Sequence, residues 1–202
     1  MNTFRARQVN NDQNLGTQLA CHPMIMAIYG IDQLKVALTS RAQVCIIANI
    51  DLIKLQPVIT LLAKADKYVI VNIDSCNGLS QDKGGIDYIA ETGAMGLLST
   101  RLQTVQRAKK SGLVTMQKIF VTDRSTWLRS LHALEQSEPD YVQLMPAPML
   151  AMLPQADRQR LPPIVASGFV SNEAQIRAAL ASGATAVSSS DSALWNLPLS
   201  TK

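Results

Sequence analysis

Small and hydroxyl-bearing residues end two short apolar runs near the C-terminus of this 202-residue chain. One run ends in Ser167-Gly168 and the other in Ser189-Ser190, and a helical segment lies between them. Consecutive parallel strands that end this way leave backbone N–H groups and hydroxyls open at one sheet edge, as in the phosphate-binding loops of eight-fold β/α barrels. We therefore predict that Ser167, Gly168, Ser189 and Ser190 bind phosphate. The alternative is that small residues only let the chain turn out of a crowded barrel.

Polar side chains are also predicted at the ends of other strands. They could hydrogen-bond a polyol or supply countercharge, and they are Asn49, Asp74, Arg101, Lys118 and Gln143. Lys118 with Asp74 is the one pair that could perform acid/base or Schiff-base chemistry, which requires hydrogen-bond reach and shifted pKa values. The alternative is a satisfied network of strand-end ions, and we predict no catalytic residues. Metal ligands at recognisable spacing are absent, so neither a metal nor another cofactor is expected.

These residues need a scaffold, and the alternation of apolar runs with helix-period segments indicates one. Strands are predicted at 23–29, 44–50, 68–73, 95–99, 114–121, 141–145, 164–166 and 184–188. Alternating strands and helices imply parallel pairing through right-handed crossovers. We predict an α/β fold, a single short eight-fold β/α (TIM-type) barrel over residues 21–202, preceded by a flexible N-terminal arm at residues 1–20.

Composition places the chain in the cytoplasm. Its three cysteines are odd in number and far apart, which argues against a disulfide framework and fits a reducing compartment. No apolar stretch approaches the roughly 18 residues that span a bilayer, and no signal-peptide core follows the basic N-terminus. We therefore expect no membrane partner, and the sequence leaves open whether the chain forms a homo-oligomer.

Positive charge is concentrated between residues 101 and 129. Seven cations face one anion there, whereas the whole chain carries a net charge of +4. An electropositive face suits a polyanion such as RNA, and the candidate contacts are Arg107, Lys109, Lys110, Arg124 and Arg129. The alternative is a pair of solvated helix faces.

The strand-end motifs, taken in order, resemble a known family. They include 71–74 (VNID), 82–89 (DKGGIDYI), 96–101 (GLLSTR), 117–123 (QKIFVTD), 139–146 (PDYVQLMP) and 166–170 (ASGFV). This pattern is similar to the glycerol-3-phosphate-responsive antiterminators of bacterial glycerol-utilisation operons. The resemblance implies a barrel that binds glycerol 3-phosphate at its mouth, binds leader mRNA, prevents premature transcription termination and catalyses no reaction.

Five positions depart from the family pattern. They are Asn72 in place of a His, Gln143 in place of a Glu, Ala147 and Ser167 each in place of a Gly, and Asn49 where an Asp is common. Two alternatives to the regulator therefore stand beside it. One is a barrel enzyme, an epimerase, lyase or isomerase acting on a small sugar or polyol phosphate. The other is a diverged relative that has lost its ligand.

Overall fold

Eight parallel strands form a closed barrel in the computed structural model, which describes residues 3–199 without the side chains of residues 3–7, 9 and 10. We number the barrel strands β1 (Met24–Tyr29), β2 (Val44–Ala48), β3 (Tyr68–Asn72), β4 (Gly96–Ser99), β5 (Val114–Phe120), β6 (Tyr141–Met145), β7 (Ile164–Ser167) and β8 (Ala186–Ser189). Each strand pairs with the next in sequence, and β8 pairs with β1 to close the ring. The predicted eight-fold β/α barrel is confirmed, with strand bounds within two residues of the prediction.

Helices cover the outside of the barrel. They are α1 (Thr3–Cys21), α2 (Leu34–Thr39), α3 (Leu52–Lys64), α4 (Lys83–Glu91), α5 (Leu102–Lys110), α6 (Arg124–Ser137), α7 (Met149–Met152), α8 (Gln155–Arg158) and α9 (Glu173–Ala181). Side-chain caps begin three of them: Asp82, Asp123 and Asn172 each accept a backbone N–H from the first turn, which satisfies an otherwise unpaired donor. Several helices are only one or two turns long, which is how a short chain completes the barrel.

The strands are apolar on both faces because each strand lies between the helices and the barrel interior. Outward side chains such as Ile47 and Leu144 belong to the cluster that packs under the helices, whereas inward ones such as Ile46 and Met116 form a separate cluster inside the barrel. Side chains alternate along a strand, so the inward set continues toward the carboxyl ends of the strands. There it becomes polar, with Asn72, Lys118, Gln143, Ser167 and Ser188.

The N-terminal segment closes the opposite end of the barrel, so the prediction of a flexible arm at residues 1–20 is wrong for the residues described. Residues 3–21 form α1, and Leu15 and Leu19 are fully buried against inward side chains such as Tyr68. Gln8 also donates a hydrogen bond to Asp140 at 3.1 Å. The sequence did not predict this helix, because its apolar pattern depends on one pair of leucines four residues apart in an otherwise polar segment. Across residues 3–199, no helix is long and apolar enough to cross a membrane.

Candidate functional site

A cavity of about 90 Å³ opens at the carboxyl ends of β7 and β8. Its polar lining comes from Ser167 and Gly168 on one side and from Ser188, Ser189 and Ser190 on the other. All four residues predicted to bind phosphate therefore line one cavity.

A chain of side-chain hydrogen bonds leads into this cavity from β6. Gln143 Nε2 lies 3.3 Å from Ser188 Oγ and 3.4 Å from Ser167 Oγ, and Ser188 Oγ donates to Ser167 Oγ at 2.7 Å. An amide NH₂ group only donates, so both serine oxygens accept from Gln143. Ser167 Oγ accepts from both neighbours, and its own proton has no acceptor among the described residues. The chain thus presents an O–H donor to the cavity.

Backbone amides add further donors beside Ser167. Gly168 and Phe169 have positive φ angles of 81° and 56°, which turn the chain sharply at the end of β7. Along the described chain, no hydrogen bond uses the N–H of Gly168, Phe169 or Ser190. A Cβ at Gly168 would lie 3.2 Å from Met145 Cε in addition to straining the backbone, so this turn needs glycine.

Ser189 contributes to the site differently from its neighbours. Its hydroxyl donates to Val170 O at 2.8 Å and accepts from Asp191 N at 3.1 Å, so it holds the loop together. Asp191 in turn caps the three-residue helical turn Ser192–Leu194 by accepting from Ala193 N. The carboxylate of Asp191 therefore already occupies the N-terminus of this short helical turn.

Lys118 lies on the inner face of β5, next to Gln143 on β6. The side chain is half-buried, and loss of solvent lowers the pKa of Lys118, while the negative charge of Asp74 opposes this shift. Asp74 itself accepts from Ser99 Oγ at 2.7 Å, Thr100 N at 2.6 Å and Thr100 Oγ1 at 2.8 Å. No ion pair or hydrogen bond joins Lys118 to Asp74 within residues 3–199, so the two are not arranged as an acid/base pair.

Two inward residues that the prediction omitted belong to the same region. Ser188 is the middle of the hydrogen-bond chain, and Asn72 is buried on β3. Asn72 Oδ1 and Gln143 Oε1 are buried acceptors that receive no hydrogen bond from the described residues. The alternation of side chains along a strand could have identified both residues, had the register of each strand been known.

Asn49 and Arg101 lie on the rim of the mouth instead of inside it. Asn49 is exposed with a positive φ of 52°, and its backbone N–H donates to Ser75 Oγ at 3.1 Å. Arg101 is exposed at the start of α5. The five predicted polyol contacts are therefore divided between the barrel interior and its edge.

The predicted RNA contacts do not form one patch. Arg107, Lys109 and Lys110 lie in the last turn of α5, at the end of the barrel that α1 closes, whereas Arg124 and Arg129 lie near the start of α6, at the mouth. Lys109 also faces Asp140 at 3.5 Å. Helices and strands run in opposite directions in this fold, which is why 101–129 reaches both ends of the barrel.

The fold and mouth together define a β/α barrel whose last two strands end in serine and glycine residues at one cavity. Residues 24–195 match the family described as "Glycerol-3-phosphate responsive antiterminator", and the chain belongs to that family.

Three relatives illustrate the likeness. An uncharacterized Escherichia coli protein, YgcP, is 24% identical over 177 residues, which cover 87% of this chain and 93% of YgcP. The glycerol uptake operon antiterminator regulatory protein of Listeria monocytogenes superimposes with a TM-score of 0.81 at 25% identity, covering 86% of this chain and 95% of that one. A glycerol uptake operon antiterminator-related protein of Thermotoga maritima gives 0.77 at 24% identity, covering 85% and 96%.

Proposed function

We propose that this protein is a non-catalytic regulator that binds glycerol 3-phosphate at the barrel mouth. In the loaded state it binds the leader mRNA of glycerol-utilisation genes and prevents premature transcription termination. The observation that carries the proposal is that Ser167, Gly168, Phe169 and Ser190 line one cavity. Among the described residues, no hydrogen bond uses the hydroxyl proton of Ser167 or the backbone N–H groups of the other three. Family membership supplies the regulatory context.

The donors suit a phosphate group. No Lys, Arg or His of residues 3–199 lines the cavity, so the anion would be held by N–H and O–H dipoles, as at other strand-end phosphate sites. The glycerol part would extend toward the barrel interior, where Lys118 is the nearest cation along the inner face. Ser167 then serves phosphate recognition, in the position where the family pattern has glycine.

Ligand binding is tested by thermal unfolding with glycerol 3-phosphate and, in parallel, with glycerol. A ligand at 100 times its Kd stabilises the folded state by about 2.7 kcal/mol. We expect glycerol 3-phosphate to raise the Tm and glycerol to leave it unchanged, because the mouth offers hydrogen-bond donors that suit an anion. No shift with glycerol 3-phosphate at millimolar concentration would instead identify a relative that has lost its ligand.

RNA binding is tested by mobility shift with leader RNA of a glycerol operon, with and without glycerol 3-phosphate. Contacts to phosphates release counterions, so the affinity should fall steeply as salt is raised. Loss of RNA binding at low salt in the presence of ligand would refute the regulatory proposal while leaving the ligand site intact.

A second function is favoured by one observation. Burial lowers the pKa of Lys118, and its ammonium group has no hydrogen-bond or ion-pair partner among the described residues. A neutral amine beside a phosphate site could attack the carbonyl of a phosphorylated ketose or aldose, forming a carbinolamine that loses water to give an imine. Borohydride reduction would trap that imine. A trapped adduct on Lys118, together with turnover that Lys118→Arg abolishes, would support an enzyme and overturn the regulator.

A further inference from the structure

A groove of about 260 Å³ runs along the rim of the mouth, between the end of β5 and the first turns of α6. Its lining includes Thr100, Lys118, Phe120, Thr126, Arg129 and Ser130. We propose that this groove binds one nucleotide of a single-stranded RNA, with the base on Phe120 and a phosphate on Arg129. The proposal rests on the RNA-binding function proposed above and assigns it a surface.

Arg129 is suited to hold the phosphate. Within residues 3–199, the guanidinium group of Arg129 makes one hydrogen bond, a long one from Nη2 to Thr126 Oγ1 at 3.5 Å. No carboxylate of these residues forms an ion pair with it. A guanidinium carries five N–H donors in a planar fork that matches phosphate oxygens. Arg101 and Arg124 lie exposed at the same end of the barrel, also without an ion-pair partner in the part of the chain described. Together with Lys118, these arginines outnumber the two carboxylates nearby, Asp74 and Asp123, so a polyanion would meet net positive charge here.

Phe120 is suited to stack on the base. It shares the inward-facing register of Lys118, yet it lies beyond the barrel interior and 48% of its surface is exposed. The other aromatic residue of the basic segment, Trp127, is buried and donates to Asp157 at 2.8 Å. Stacking on an exposed ring is the main way proteins hold single-stranded bases without reading a fixed sequence.

The three hydroxyls of the groove match the N–H edges of a base. Thr100 Oγ1 donates to Asp74, Thr126 Oγ1 donates to Asp123 and Ser130 Oγ donates to Thr126 O, at 2.8, 2.8 and 3.0 Å. With their protons committed, these oxygens are acceptors toward the groove. Base amino and imino groups are donors, so the groove offers acceptors for a base beside a cation for its phosphate.

The groove adjoins the ligand cavity through adjacent strands. Lys118 lines the groove and pairs in register with Gln143, whose side chain contacts Ser167. A ligand in the cavity and a nucleotide in the groove would therefore be linked through Gln143 and Lys118. RNA affinity is therefore expected to depend on glycerol 3-phosphate.

The experiment measures binding of a short fluorescein-labelled oligouridylate by fluorescence anisotropy, with glycerol 3-phosphate present. Phe120→Ala and Arg129→Gln should each weaken binding at least about five-fold, the lower limit for losing one base–aromatic stack. Leu128→Ala removes an exposed apolar side chain from the opposite face of α6, and Lys64→Gln removes an exposed cation from the last turn of α3, at the other end of the barrel. Both controls should bind within about two-fold of the unmodified protein.

Each outcome separates the groove from the broader function. If Phe120→Ala and Arg129→Gln bind the oligouridylate as tightly as the unmodified protein does, the groove is not the binding site. The proposed RNA-binding function would then stand without this surface. Binding of folded leader RNA without binding of the oligouridylate also overturns the groove, because it then does not take single strands. If neither the oligouridylate nor the leader RNA binds, both the groove proposal and the proposed RNA-binding function are overturned. Circular dichroism and Tm confirm that each variant is folded.

Discussion

The Ser167→Ala substitution tests the direction of the hydrogen-bond chain at the mouth. Ser167 Oγ accepts from Gln143 Nε2 and from Ser188 Oγ, which leaves its own proton for the ligand. Alanine removes that donor and the acceptor of Ser188 Oγ, while Gln143 keeps Ser188 as a partner at 3.3 Å. We therefore expect the ligand affinity to fall while the fold is retained.

The magnitude follows from the charge of the acceptor. A hydrogen bond to a charged group contributes about 1.5–3 kcal/mol, so the Kd for glycerol 3-phosphate should rise roughly ten- to a hundred-and-fifty-fold. Ser188→Ala is the matched control, because Ser188 is equally buried but donates to Ser167 and not to the cavity. It should change the Kd by less than about three-fold, since Ser167 keeps its free proton.

Isothermal titration calorimetry of both variants measures the difference. Urea unfolding without ligand should give similar losses of stability for the two, about 0.5–1.5 kcal/mol for one neutral hydrogen bond. If Ser167→Ala and Ser188→Ala bind glycerol 3-phosphate with equal affinity, the hydroxyl proton of Ser167 does not face the ligand, and the proposed direction of the hydrogen-bond chain is wrong.

Three further predictions concern the scaffold. Leu19→Ala should lower the free energy of unfolding by about 2–5 kcal/mol, measured in urea, because this side chain is 1% exposed beneath the barrel; a change below about 0.5 kcal/mol would mean that α1 does not close the barrel. Asp74→Ala should cost about 1–3 kcal/mol, because the N–H of Thr100 loses its acceptor; an unchanged urea midpoint would contradict this. Lys118→Met should raise the Tm at neutral pH, since burial lowers the pKa of Lys118 and so penalises its charged form in the folded state. The unfolded chain binds the lysine proton more tightly than the folded chain does. The destabilising effect of Lys118 on the folded state therefore shrinks as the pH rises toward the ordinary lysine pKa of 10.5. The gain from Met should therefore shrink in alkaline solution, and a gain independent of pH would refute the assignment.

Much of the fold was predictable because local chemistry and tertiary structure agree. Strands buried on both faces require continuous apolar runs, and helices end where glycine allows the chain to turn, so the order and type of the elements are legible in the chain. The residues after β7 and β8 were predictable for the same reason, since Ser167-Gly168 and Ser189-Ser190 interrupt apolar runs. The resemblance that these strand ends carry led to the family, and the match over residues 24–195 confirms it.

The role of α1 was not predictable, because a helix whose buried face depends on Leu15 and Leu19 has weak periodicity. Its burial is decided by the open end of a barrel formed by residues far along the chain. The basic segment shows the same effect. Arg107 and Arg124 are close in sequence but lie at opposite ends of the barrel, because α5, β5 and α6 each cross its full height.

Residue type and chain order alone place two serine-ended strands, a glutamine and a lysine at the mouth. What these side chains do there depends on how the strands pair. Strand register brings Gln143, Ser188 and Ser167 into one chain with a single free proton, and it commits the Ser189 hydroxyl to its own loop. Hydrogen-bond direction depends on which donors and acceptors face one another across neighbouring strands, and that is a property of pairing in three dimensions.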